Sequence, residues 1–144
     1  MILIIVFLIL SLDQLSKYII VHNLQPGQSI PVIKGIFYIT LVQNRGAAFG
    51  VLKNQLPVFI ITALVAIFLI ISALKNKRYK AIYAFALALI LSGAIGNLID
   101  RIFLGYVVDF LDFRVWPVFN VADSAITIGA VILGWSVLFE KNVS

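Results

Sequence analysis

Four long apolar runs, separated by shorter polar segments, are the dominant pattern along the chain. They lie at about 2–21, 57–74, 81–99 and 122–139. A helix of about 18 residues is roughly 27 Å long, just enough to cross the hydrocarbon core of a bilayer. Each run therefore predicts one transmembrane helix, and we expect an all-α integral membrane protein with residues 1–144 in a single domain.

The first polar segment, 23–56, has a pattern typical of β-strands. Residues 30–42 are rich in β-branched and aromatic side chains, and Pro26-Gly27 and Lys34-Gly35 interrupt the segment as turn signals. We therefore expect a small β-sheet at the membrane surface. An apolar group at 47–49 is expected to dip into the interface.

The composition agrees with a membrane protein, because 62% of the residues are hydrophobic, 12% are charged and the mean hydropathy is +1.11. A soluble domain of this size could not bury so much apolar surface. The net charge of +5 does not indicate nucleic-acid binding, since four basic residues are concentrated between Lys75 and Lys80. Such a loop is cytoplasmic under the positive-inside rule. We therefore expect both termini in the cytoplasm and segments 23–56 and 100–121 outside.

The few acidic residues carry the functional information. With this topology, four aspartates fall near the outer face, on or between the ends of the third and fourth helices, and Asp13 in the first helix approaches the same level. The four are Asp100, Asp109, Asp112 and Asp123. Carboxylates at membrane level are costly and indicate a functional site. Two that lie close together share a proton, so that one can act as a general base for water and the other as a general acid.

Structural interpretations of the same residues remain open at this point. Asp13 and Lys17, one helical turn apart, can form a neutralising pair that holds the first helix against its neighbours. Asp100 can pair with Arg101 at the interface, and Asp123 can simply cap the fourth helix. The remaining acid of the group, at position 112, has nothing in the sequence that distinguishes it from a solvated loop residue.

Other chemistries have less support. The chain has no cysteine, and its single histidine, His22, has no second histidine for a zinc site. Aspartates alone can bind a metal, but a hard cation prefers more oxygen ligands than this chain clearly offers, so we expect no metal and no cofactor. A serine nucleophile lacks an evident base, because Lys17 already has Asp13 as a partner. The rival functions are a small cation transporter or channel and a non-catalytic assembly factor. A transporter requires a polar path across the membrane, but the second apolar run contains no charged residue.

Five motifs, in order along the chain, resemble those of lipoprotein signal peptidase, the type II signal peptidase of bacteria. They are Leu12-Asp13-Gln14-Leu15-Ser16-Lys17, Asn44-Arg45-Gly46-Ala47-Ala48-Phe49-Gly50, Gly96-Asn97-Leu98-Ile99-Asp100-Arg101, Gly105-Tyr106-Val107-Val108-Asp109-Phe110 and Phe119-Asn120-Val121-Ala122-Asp123-Ser124. No single motif is specific. Together, on four apolar helices and across essentially the whole chain, they are highly specific.

The resemblance implies an aspartic endopeptidase of the bacterial cell membrane. Such an enzyme removes the signal peptide of diacylglyceryl-modified prolipoproteins, cutting before the lipidated cysteine. By the resemblance, Asp109 and Asp123 are the catalytic pair, at the outer face. The positions that match substrate-binding or supporting residues are Asn44, Arg45, Asn97, Asp100, Arg101, Asn120, Asp13 and Lys17. Segment 110–119, a few residues shorter than expected for the family, should form a flap over the site. We expect a monomer whose partners are the lipidated substrate and membrane lipid, and no nucleic acid.

Overall fold

Four helices that are long and apolar enough to cross a membrane form the body of the computed structural model, which describes residues 1–46, 55–75 and 80–139. They are α1 (Ile2–Asn23), α2 (Leu56–Leu74), α3 (Ala81–Leu104) and α4 (Val121–Phe139). All four lie where the apolar runs predicted them, so the prediction of a four-helix membrane protein is confirmed. The apolar group at 47–49 and the loop residues 76–79 lie outside the described residues.

Helix α3 extends to Leu104 rather than ending near residue 99. The apolar run stops earlier because Asn97 and Asp100 are polar, but both side chains are buried in the bundle and the helix continues through them. It ends at Gly105, whose φ of 78° is the left-handed conformation that glycine adopts most easily. Asp100 therefore lies within the helix rather than at its end.

A three-stranded antiparallel sheet lies at the end of the bundle where α1 and α3 finish. Its strand order is β1 (Ser29–Ile33), β2 (Phe37–Asn44) and β3 (Val107–Asp112), and the prediction of a small sheet is confirmed. Strand β3 was not predicted. The expectation of a flap is therefore wrong for residues 110–112, which belong to the sheet. Asp112, which nothing in the sequence distinguished from a solvated loop residue, is only 5% exposed. Both differences arise because β3 pairs with β2 along its length.

A small apolar core joins the sheet to the helices. Leu24, at the end of α1, is buried together with Leu41 of β2 and Val108 of β3. Because Val108 directly precedes Asp109, this contact fixes that aspartate beside the ends of α1 and α3.

Helix α3 is the central helix and packs against the other three. Two of its glycines allow close approach. A Cβ atom at Gly93 would collide with the carbonyl of Ala122 in α4, and one at Gly96 would lie 2.6 Å from Asp13 Oδ2 in α1. Helix α2 has no buried residue, and the buried residues of α1 are Asp13 and Lys17. In α1 and α2 the apolar side chains thus face outward, and the buried residues of α1 are a polar pair, as expected of helices whose solvent is lipid.

Candidate active site

The site begins at the first turn of α4, where Asn120 and Asp123 cap each other. The Asp123 N–H donates to Asn120 Oδ1 at 2.9 Å, and the Asn120 N–H donates to Asp123 Oδ2 at 3.3 Å. Reciprocal capping satisfies backbone donors that a helix N-terminus leaves free. The interpretation of Asp123 as a helix cap is therefore confirmed, but it is incomplete. Its Oδ1 atom also accepts a hydrogen bond from Asn97 Nδ2 of α3 at 2.8 Å, so two helices hold this carboxylate.

Asp109, in β3, is 2% exposed and is held by two side-chain amides. Asn44 Nδ2 donates to its Oδ2 at 2.9 Å, and Asn120 Nδ2 donates to its Oδ1 at 2.8 Å. Burial raises the pKa of Asp109 from 3.8 to about 7, and the negative charge of Asp123 adds to the rise, while the two amide hydrogen bonds oppose it. We refer to Asp109 and Asp123 below as the two site aspartates.

Behind the two site aspartates, Lys17 lies in a buried ionic cluster. Its Nζ atom is 2.9 Å from Asp13 Oδ2 and 2.9 Å from Asp100 Oδ2, and it donates to Asn97 Oδ1 at 3.1 Å. Gln14 Nε2 donates to both carboxylates, at 3.1 and 3.2 Å. The predicted pair of Asp13 and Lys17 is confirmed. The lysine also pairs with Asp100, so the loss of Asp13 would not leave it unpaired.

Each carboxylate of this cluster also accepts a hydrogen bond from the backbone N–H of the residue directly before a site aspartate. Asp13 Oδ1 accepts the N–H of Ala122 at 2.9 Å, and Asp100 Oδ2 accepts the N–H of Val108 at 3.0 Å. Lys17 bridges the two carboxylates. The cluster therefore ties α1 and α3 to the two segments, the first turn of α4 and strand β3, that carry the site aspartates.

The two site aspartates line one cavity of about 350 Å³. Arg101 lies in the same wall: its guanidinium is 5.0 Å from the centre of the Phe59 ring, and it donates to the backbone oxygen of Asn97 at 3.3 Å. A second cavity of about 460 Å³, lined mostly by apolar side chains, shares Trp116 and Phe119 with the first. The arrangement offers two carboxylates and one cation beside a cleft that suits an apolar ligand.

The structure places most of the predicted site residues in or directly behind this cavity. The exception is Arg45, which is exposed just after β2. Gln14 was not predicted as part of the cluster, although a polar residue next to Asp13 in an apolar helix was a usable signal. Among residues 1–46, 55–75 and 80–139, no group of three histidine, cysteine or acidic side chains is placed to hold a metal ion.

Fold and site together define a multi-pass membrane protein with a buried acidic centre at one end of its helices. A bacterial membrane enzyme solved by the in meso method at 2.3 Å resolution has the same fold, with a TM-score of 0.92, 33% sequence identity and coverage of 98% of this chain and 89% of that one. The chain belongs to the signal peptidase (SPase) II family, whose model matches residues 5–139.

Curated relatives span the same length. The lipoprotein signal peptidase of Moorella thermoacetica is 51% identical over 141 residues, covering 97% of this chain and 94% of the relative. That of Caldanaerobacter subterraneus subsp. tengcongensis is 52% identical over 145 residues, covering 99% of each. These matches confirm the predicted family and its activity, the cleavage of signal peptides from prolipoproteins.

Proposed function

We propose that the chain is an aspartic endopeptidase in which Asp109 and Asp123 activate water for attack on the scissile peptide bond of a prolipoprotein. One observation carries the proposal: two carboxylates, a buried one from β3 and a half-buried one from the first turn of α4, line the same cavity. Within the described part of the chain, both are held by neutral amide donors rather than by a lysine or an arginine. Such donors fix the position of a carboxylate and leave it free to exchange a proton.

The surroundings of the two carboxylates favour a different role for each. Asp123 lies at the N-terminus of α4, where the partial positive charge of the helix favours the anion, so it serves as the base. Asp109, whose pKa is raised to about 7 mainly by burial, keeps its proton in a large fraction of molecules at neutral pH and serves as the acid.

Proton transfer then follows a balanced cycle. Asp123 takes a proton from water as the water oxygen bonds to the carbonyl carbon, and Asp109 protonates the carbonyl oxygen. When the C–N bond breaks, Asp123 returns its proton to the leaving nitrogen and Asp109 recovers a proton from the tetrahedral hydroxyl. Both residues end in their starting states, and no covalent enzyme intermediate is formed.

The proposed substrate is a diacylglyceryl-modified prolipoprotein, cut before its lipidated cysteine. The cavity of about 460 Å³ beside Asp123 suits an apolar part of such a substrate, because Phe113, Phe119 and Ile128 line it. The exposed apolar surfaces of the four helices face membrane lipid. We propose that the whole chain acts as one peptidase domain and as a monomer.

The decisive experiment is cleavage of a diacylglyceryl-modified prolipoprotein by purified protein. Asp109→Asn and Asp123→Asn should each lower kcat by at least about 10²-fold, the usual contribution of a general acid or base. Lys34→Ala, in the exposed turn between β1 and β2, is the matched control and should cleave at the wild-type rate. The pH profile should be a bell that falls near pH 7 on the alkaline side, where Asp109 loses its proton. A folded Asp109→Asn protein with wild-type activity would refute the proposed pair.

The proposed orientation places the site at the outer face and both termini in the cytoplasm of the cell. It rests on the basic residues between Lys75 and Lys80 in the sequence, together with the end of α2 at Leu74 and the start of α3 at Ala81, which are remote from the end of the bundle that carries the site. The chain has no cysteine, so single cysteines at positions 34 and 77 can be labelled with an impermeant thiol reagent. Position 34 should react in intact cells and position 77 only after lysis. The reverse pattern would overturn the orientation.

A further inference from the structure

A closed ring of polar contacts joins all three strands of the sheet and includes neither site aspartate. Asp112 Oδ2 of β3 accepts from Thr40 Oγ1 of β2 at 2.6 Å, and Thr40 Oγ1 is 2.8 Å from Ser29 Oγ of β1. Arg114 Nη2 donates to Ser29 Oγ at 2.6 Å, while its Nε is 3.5 Å from Asp112 Oδ2. We call these four residues the Arg114 clamp.

The clamp is more constrained than an ordinary surface ion pair. Asp112 Oδ1 accepts the backbone N–H of Arg114 at 2.8 Å, so both oxygens of this buried carboxylate are occupied. The Arg114 guanidinium also lies 3.7 Å from the centre of the Tyr38 ring, a cation–π contact. Arg114 has a φ of 66°, a conformation that residues other than glycine adopt only when their surroundings impose it. Side chain and backbone are thus restrained together.

The clamp holds one arm of a loop, 113–118, that forms part of the site. The base of the loop is closed by Leu111 and Phe119, which exchange backbone hydrogen bonds at 2.8 and 3.1 Å. Two residues after Arg114, Trp116 lines both the cavity of the two site aspartates and the apolar cavity beside it. The position of Trp116 therefore depends on a loop whose first arm is fixed by the clamp and whose second arm leads directly to α4.

We infer that Asp112 and Arg114 are positioning residues for the substrate, because the Arg114 clamp fixes the 113–118 loop and so keeps Trp116 in the wall between the two cavities. The consequence for substrate binding rests on the proposed function, whereas the restraint of the loop does not. Residues that act in this way alter the binding of the substrate rather than the chemistry of the site aspartates. Their loss should raise KM and leave kcat unchanged.

The first test is a kinetic one with two clamp variants. Asp112→Asn removes the charge and one acceptor, and Arg114→Lys keeps the charge but cannot reproduce the planar contact with Tyr38 and the second hydrogen bond. We expect each to raise KM about fivefold, the change that follows from losing one hydrogen bond of ordinary net strength. The kcat value and its pH profile should remain those of wild type. Lys34→Ala, on the same sheet, is the control.

A double-mutant cycle tests whether the clamp acts through Trp116. If it does, Asp112→Asn should raise KM in the wild-type background and have no further effect in the Trp116→Ala background. Additive effects in the two backgrounds would overturn the inference, since they would show that Asp112 affects the substrate by another route.

The second test measures the loop itself and requires no cleavage. Val115, which is 92% exposed, can be replaced by cysteine and spin-labelled in this cysteine-free chain, with a label at Val32 of β1 as the control. Asp112→Asn and Arg114→Lys should increase the mobility of the label at 115 and leave the label at 32 unchanged. Equal loosening at both positions would show that Asp112 only stabilises the sheet. A mobile loop with unchanged KM would equally overturn the positioning role. If wild type itself were inactive, the proposed function would be refuted, and the spin-label result would still decide whether the Arg114 clamp restrains the loop.

Discussion

Replacement of Lys17 by methionine should be the most damaging single change in the ionic cluster. The ammonium group lies within 2.9 Å of both Asp13 and Asp100, and its side chain is only 4% exposed. Methionine nearly preserves the volume, so the loss of charge dominates. Removing one partner of a buried ion pair costs about 3–5 kcal/mol. Here two carboxylates lose their cation at once, which places Lys17→Met at the upper end of that range.

Asp13→Asn provides the matched comparison. In that variant Lys17 retains Asp100 at 2.9 Å and Asn97 at 3.1 Å, and no charge is left unpaired. The asparagine oxygen can still accept the N–H of Ala122. The asparagine Nδ2 would then face Lys17 Nζ and Gln14 Nε2, so the two hydrogen bonds of Oδ2 are lost and the expected loss is about 2 kcal/mol. The order of stability should be wild type, then Asp13→Asn, then Lys17→Met.

Thermal unfolding of the purified proteins in one detergent checks this order. Lys17→Met should melt on the order of 10 °C below wild type, given the usual relation between free energy and melting temperature. Adding Asp100→Asn to Lys17→Met removes one of the two unpaired charges and should recover part of that loss. Equal melting temperatures of Lys17→Met and Asp13→Asn would refute the role of the lysine charge. A lower melting temperature on adding Asp100→Asn to Lys17→Met would refute it as well.

Three other outcomes follow from the geometry. Gly96→Ala should lower the melting temperature, because its Cβ would lie 2.6 Å from Asp13 Oδ2, whereas Gly134→Ala, with no atom within 4 Å of the added Cβ, should not. The pKa of Asp109 is about 7 in the folded protein and 3.8 in the unfolded chain, so the contribution of this group to stability falls as pH rises from 3.8 to 7. Asp109→Asn should therefore flatten the dependence of melting temperature on pH in that window. Asn97→Leu removes the donor to Asp123 and should lower kcat, on the order of tenfold to a hundredfold, with little change in KM, measured in the same cleavage assay.

The four spans could be predicted from the sequence because each is an apolar run long enough to cross a bilayer. The convergence of the aspartates followed from the alternating direction of those spans. Strand β3 could not be predicted in the same way. It begins two residues after Gly105, and its stability comes from pairing with β2, more than 60 residues earlier, a contact that no local pattern contains. The burial of Asp112 depends on the same pairing.

The contacts of the ionic cluster around Lys17 could also be predicted only in part from the sequence. The spacing of Asp13 and Lys17 predicts their pairing, because residues one turn apart on a helix are neighbours. The contact with Asp100 is between helices and depends on how closely α1 crosses α3. Gly96 sets that distance, since any larger residue there would meet Asp13. A glycine in an apolar helix has many uses, and only the packed structure shows which one applies.

The contacts of Asp100 and Asp109 differ in a way that favours Asp109 as the partner of Asp123, the residue that the resemblance also selects. Topology alone left both open. In the structure, Asp100 Oδ2 is bound by Lys17 and by the N–H of Val108, and Oδ1 accepts from Gln14, so this carboxylate is committed to the cluster. Among the residues that the structure describes, Asp109 accepts from two neutral amides, and it lines the cavity.

The ionic cluster and the two site aspartates are also linked electrostatically, because the positive charge of Lys17 lowers the pKa of Asp109 against the larger effects of burial and of Asp123. Two cluster carboxylates offset that charge at close range, so the cluster positions the site without supplying a strong positive field. If Lys17 becomes methionine, the two carboxylates lose their cation and the pKa of Asp109 should rise further. The alkaline limb of any residual activity should then move above its wild-type position near pH 7. An unchanged limb, in a variant that has lost stability as expected, would show that the cluster acts on the site through geometry alone.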